Sequence, residues 1–154
     1  MAGRRRNIQE YQKLLHEYSK RREFYLSEYG SKDDRYLNCR KKIHNCNRAI
    51  NRFHKRKKQI KKIALKIKEF IGIDVRDKLK RSWQTKEQKA ARGIFFKYGM
   101  QNGIIGRELA EYLNIKCTVG YPSTYRMKFT RSFKTNEYNK ETYHRFLKFV
   151  KEKK

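Results

Sequence analysis

Between Asp34 and Glu69 the chain carries fourteen Lys or Arg residues and no acid, yet it keeps a regular apolar rhythm. Tyr36, Cys39, Ile43, Cys46, Ile50, Phe53, Ile60, Ala64, Ile67 and Ile71 recur at alternating three- and four-residue steps, and Lys57 is the break in the row. Like charges at that density ordinarily keep a chain unfolded. A heptad row works the other way, because it gives a helix one seam to bury while the cationic side chains stay in water. The stretch is therefore expected to be a long helix with a strongly positive outer surface. Such a surface fits a polyanion, and nucleic acid is the first choice.

The rest of the chain shares the charge. Over 154 residues, 42 Lys and Arg face 15 Asp and Glu, for a formal charge of +27. Residues 1–80 hold 25 bases and 9 acids, and residues 81–154 hold 17 and 6, so the excess is no detachable tail. Self-repulsion on this scale favours a resident counter-polyanion. No run approaches the roughly 18 apolar residues of a membrane span. The opening Met-Ala-Gly-Arg-Arg-Arg is followed by no apolar region, so neither a signal peptide nor a membrane partner is expected. Cys39, Cys46 and Cys117 are odd in number, and two lie on the seam; they read as buried, reduced thiols of a cytoplasmic protein, nucleoid-associated or intracellular viral. Their spacing suits no metal site.

An all-α fold in two parts is expected: a basic helical hairpin over 1–70 and a helix-turn-helix-type domain over 71–154. The first helix should start near Asn7 and bury Ile8, Tyr11, Leu15, Tyr18, Arg22, Tyr25 and Tyr29 before stopping at Gly30. Ser31 is the expected cap of the second, with Asp33 and Asp34 in its first turn. A connection this short makes the two arms antiparallel, although the same seam could open into a homodimeric coiled coil. The aromatics read as hairpin core; exposed, they would instead stack on bases.

Beyond Ile73 the pattern shortens. Asp74–Leu79 suggests a brief helix. Thr85 with Gln88 has capping-box spacing and opens a helix burying Ala91, Ile94, Phe95 and Tyr98. Gly99 and Asn102-Gly103 end it. A helix over Ile104–Leu113, another over Pro122–Arg131, and a last one over Lys140–Lys151 capped by Asn139 complete the domain.

Ile104–Arg131 has the grammar of a helix-turn-helix. Ala110 supplies a small residue where the second helix must cross. Tyr121, Ser123, Thr124 and Arg126 stand at the start of that helix, where short hydroxyls allow close approach and Arg126 can reach guanine or phosphate. Lys128 and Arg131 are placed to meet backbone phosphate. Lys80, Arg81 and Trp83 would lie on the adjacent backbone, and Arg52, Lys55, Arg56, Lys58 and Lys62 would follow phosphates along the basic arm.

Residues from about Ile63 to Phe129 resemble the C-terminal DNA-binding domain of the bacterial replication initiator DnaA. Phe70 and Ile73 are similar to the end of that domain's opening helix, Lys80-Arg81-Ser82 to its basic loop, and Ala91-Arg92-x-Ile94 to its long middle helix. Ile105-Gly106 resembles the dipeptide that opens its helix-turn-helix, and Ser123-Thr124 stands where the family has paired threonines. The resemblance implies that the basic loop contacts backbone and that the last pair reads bases in the major groove. The family's Gly-Arg-Asp-His-Thr-Thr signature is replaced by Val119-Gly120-Tyr121-Pro122-Ser123-Thr124, so the family's target sequence does not carry over. No phosphate-binding Gly-x-x-x-x-Gly-Lys loop is present, which leaves out the initiator's ATPase.

The leading expectation is a protein that binds duplex DNA. A small basic inhibitor of a nucleoprotein complex, of viral or mobile-element type, is the alternative from another class; an RNA-binding structural subunit is the third. No catalytic residues, metal or cofactor are expected, since His16, His44, His54 and His144 stand beside no nucleophile or carboxylate cluster.

Overall fold

A computed structural model describes residues 7–77, 85–115 and 120–153 of the chain. Its helices are α1 (Ile8–Tyr29), α2 (Asp34–Ile71), α3 (Lys86–Gln101), α4 (Gly106–Tyr112), α5 (Tyr121–Ser132) and α6 (Glu137–Glu152), with no strand among the described residues. The fold is all-α. No helix among those residues is long and apolar enough to cross a membrane.

Local chemistry sets the first helix. Asn7 Oδ1 accepts from the Glu10 amide at 2.8 Å while Glu10 Oε2 accepts from the Asn7 amide at 3.0 Å, a reciprocal cap that satisfies two otherwise orphaned donors. Gly30, at φ 83°, ends α1 and donates its amide to the Leu26 carbonyl. Asp33, rather than Ser31, prepares α2: its Oδ1 accepts from the amides of Arg35 and Tyr36, and the Arg35 guanidinium holds both carboxylate oxygens at 3.1 Å. A carboxylate at a helix start gains from the dipole as well as the hydrogen bond, which a serine hydroxyl does not.

The two arms run antiparallel. Arg35 lies over the Tyr25 ring at 5.4 Å, and Lys42 Nζ lies 5.1 Å from the Tyr18 ring; each pair sits at the same chain distance on either side of Gly30. Cys39 and Cys46 are buried on the seam of α2. The seam of α1 is only half covered, and Tyr29 stays 52% exposed beneath Arg35, whose Cζ is 3.9 Å from its ring centre. Charge is divided unequally between the arms. α1 balances four acids with four bases, whereas α2 carries fourteen bases and only Asp34 and Glu69 against them.

Two compact units divide within α2, at Arg56 and Lys57. The reason is the second stretch of the seam: Ile60, Ile63, Ala64 and Ile67 are buried in one core with residues of α3 to α6. Lys57, the break in the apolar row, is exposed, and Arg56 beside it is half-buried.

The second unit is built around α3. The capping box expected at Thr85 and Gln88 is present. Ala91, Ile94, Phe95 and Phe96 are fully buried, and Tyr98 is half-buried. α3, α4 and α5 each pack on the other two, and α6 packs on α3 and α5. Phe146 of α6 sits edge-on to Phe70 and Tyr98, with ring centres 5.7 and 5.2 Å away. Two expectations are corrected. Over its described part, the segment from Asp74 is a turn: Asp74 Oδ1 captures the Arg76 amide, and the Asp77 amide bonds the Asp74 carbonyl, so the aspartate competes with a helix. α6 begins earlier than expected because Asn136, not Asn139, is its cap; Asn139 instead donates its side-chain amide to Ser132 Oγ.

Candidate nucleic-acid interface

Two glycines determine where α5 can lie. A Cβ on Gly93 of α3 would fall 2.1 Å from Phe129 Cδ2, and one on Gly106 at the start of α4 would fall 2.6 Å from Pro122 Cβ. The close crossing of α4 and α5 is thus at Gly106, whereas the sequence pointed to Ala110, which is buried as well. With Pro122 and Phe129 buried and Tyr125 half-buried against the core, the other sides of α5 are fixed by helical geometry.

Steps of three, four and seven place Thr124, Met127, Lys128 and Arg131 on the outward face, and all four are exposed. Ser123, Arg126 and Thr130 fall along a second line, on the flank toward Lys97 of α3, where Ser123 and Arg126 are half-buried. Tyr121 turns inward, its ring 6.2 Å from Phe96 and 5.9 Å from Tyr125. α5 contains no acid, and no carboxylate among the described residues pairs with Arg126, Lys128 or Arg131.

Of the remaining expected residues, Arg52, Lys55, Lys58 and Lys62 are exposed on α2, with Arg56 half-buried. Arg52, Lys55 and Arg56 belong to the first unit, and Lys58 and Lys62 to the second. Lys80, Arg81 and Trp83 lie outside the described residues.

Lys97 was not singled out by the sequence. Its Nζ is 3.1 Å from Thr130 Oγ1 and lies 5.1 and 5.5 Å from the ring centres of Tyr143 and Phe133. Burial, and then the charge of Arg126, push its ammonium below the ordinary lysine value. One more lysine in a helix that also carries Lys86, Lys89 and Arg92 gives no signal of this; only Thr130 at four residues from Arg126 hints at a shared flank. Among the described residues no group of three or more His, Cys, Asp or Glu could hold a metal ion.

Comparisons with protein-family models, with curated proteins and with solved structures find no match to this chain.

Proposed function

We propose that the protein binds double-stranded DNA, with α4 and α5 acting as a helix-turn-helix and α5 lying in the major groove. The observation that carries this reading is the outward face of α5. A hydroxyl, a thioether and two cations stand exposed there on one side of a helix without an acid, anchored from behind by Pro122 and Phe129. In place of the phosphate contacts expected from sequence, Lys128 and Arg131 join Thr124 as the residues assigned to base edges, because they stand on the outward face; lysine and arginine suit guanine, and threonine suits either a polar edge or a thymine methyl. Arg126, on the flank, is suited to phosphate. Lys58 and Lys62, exposed on the part of α2 that belongs to the same unit as α5, add phosphate contacts, so affinity should fall steeply with salt. Kinship with the DnaA DNA-binding domain belongs to the same proposal and is supported by Gly106 opening α4 and Ser123-Thr124 in the first turn of α5. The role is one of binding rather than catalysis.

Anisotropy titrations against duplex DNA, single-stranded DNA and structured RNA, with random-sequence competitor and several salt concentrations, test the proposal. Duplex binding that outlasts competitor, weakens as salt is raised and stays above binding to single-stranded DNA and RNA at each concentration is the expected result. A preference for RNA, or weak binding to all three that vanishes together with salt, would overturn it.

A further inference from the structure

We propose that Lys97, Arg126 and Thr130 form a seat for a single backbone phosphate of B-form DNA, on the flank of α5 that faces α3. The inference rests on the reading that α5 enters a duplex groove, and it assigns to Lys97 a role that neither sequence nor surface charge suggested.

Three features of the cluster point to an anion. First, the ammonium of Lys97 is fixed in place. Thr130 Oγ1 spends its own proton on the Arg126 carbonyl at 2.9 Å, which orients the oxygen to accept from Lys97. The rings of Phe133 and Tyr143 flank the same cation, leaving further N–H donors of Lys97 for a ligand. Second, Arg126 stands one helical turn before Thr130 on the same flank of α5, and its carbonyl takes the proton of the hydroxyl that receives Lys97, so both cations belong to one cluster. Third, the fold supplies no counter-charge. All 15 acids of the chain lie within the described residues, and none is within ion-pair distance of Lys97 or Arg126. Partly buried cations kept together without an acid are matched to an anion from outside.

The position of the cluster selects a phosphate in a groove wall. An α-helix with its side chains is about 10–12 Å across, and the B-DNA major groove is about 12 Å wide, so a helix lodged there brings its flanks against the two backbones. Ser123, Arg126 and Thr130 line that flank at three- and four-residue steps. Arg126 offers a planar fork to two phosphate oxygens, and Lys97 a point charge beside it. The deep, narrow major groove of A-form RNA does not admit a helix in this way.

The test uses the full chain and a fluorescein-labelled random-sequence duplex, with affinity followed across salt concentration. Lys97→Gln and Arg126→Gln should each weaken binding to every duplex alike, and together they should flatten the log–log salt slope by about 0.9, the value for one phosphate. Because both residues hold the same phosphate, the double variant should lose the slope of one phosphate and not of two. Circular dichroism establishes that each variant is folded, and should Lys97→Gln fail to fold, Arg126→Gln decides alone. An unchanged slope in folded variants overturns the phosphate seat while leaving duplex binding by the parent chain intact. A parent chain that binds no duplex overturns the groove reading itself, and the seat with it.

Discussion

The ring of Phe129 occupies the space that a side chain on Gly93 would need, with Cδ2 2.1 Å from where a Cβ would stand. Alanine in place of a mid-helix glycine ordinarily stabilises by about 1 kcal/mol. Here the sign should reverse, because Phe129 is buried and its ring cannot yield without shifting α5. Gly93→Ala is expected to lower stability by about 1–3 kcal/mol in urea denaturation, the cost of overpacking a core. Gly99→Ala should cost less, since the atoms it meets are the Leu109 methyls at 2.9 Å, a milder overlap than the 2.1 Å at Gly93. A gain in stability from Gly93→Ala would contradict the close crossing of α3 and α5.

Acid should weaken the second unit through Asp74. Its hydrogen bonds from the Arg76 guanidinium, at 2.9 and 3.1 Å, hold the carboxyl at about 2, below its ordinary 3.8. A depressed carboxyl pKa contributes stability that is present above the ordinary value and is lost as pH falls toward 2. The contribution is on the order of 1 kcal/mol once screening by solvent is allowed for. Asp74→Asn should therefore lose stability at neutral pH and show a flatter decline between about pH 4 and pH 2. Parallel acid curves for the two proteins would show that the pair contributes nothing.

At the alkaline end the sign is opposite. Burial, with Tyr98 nearby, pushes the Tyr143 hydroxyl up to about 12, and that hydroxyl donates to Gln101 Oε1. A tyrosine pKa raised on folding contributes stability that is complete below the ordinary value near 10 and is lost as pH rises through 12. In a spectrophotometric titration of the eleven tyrosines, one late step is expected that is missing from Tyr143→Phe. A late step that survives the substitution would assign it to another residue.

Within α2, stability should be uneven. No residue between Cys46 and Ile60 is buried, and the stretch after Phe53 places Lys57 with Lys61 and Lys58 with Lys62 one helical turn apart. Like charges at that spacing cost roughly 0.2–0.5 kcal/mol each, with no acid to offset them. Amide hydrogen exchange at 54–59 is expected to be faster than at 63–68 of the same helix, and to slow on adding salt or duplex DNA. Uniform exchange along the helix would mean that the charge run carries no local instability.

What the sequence revealed about these elements was much of what depends on neighbours along the chain. The caps at Asn7 and Thr85 each need only a partner three residues on, and the alternating three- and four-residue row of α2 fixed its long extent. The caps of α2 and α6 fall elsewhere than Ser31 and Asn139: Asp33 takes the amides of Arg35 and Tyr36, and Asn136 takes the amide of Asn139, whose side chain bonds Ser132. Tyr121 reads like a groove residue until Phe96 and Tyr125 are seen to hold its ring. Lys97 could not be found by spacing, since its meaning comes from Arg126 and Thr130 on another helix. The same holds for Gly93, whose importance is set by a ring 36 positions away.

The outward face of α5 is most directly examined by selecting duplexes from a random pool in the presence of excess competitor, with the parent chain and with Lys128→Ala/Arg131→Ala. A sequence-reading helix should enrich one short common motif, and the double variant should lose that enrichment while retaining bulk, salt-sensitive binding. A pool that stays random with the parent chain would contradict base reading by α5.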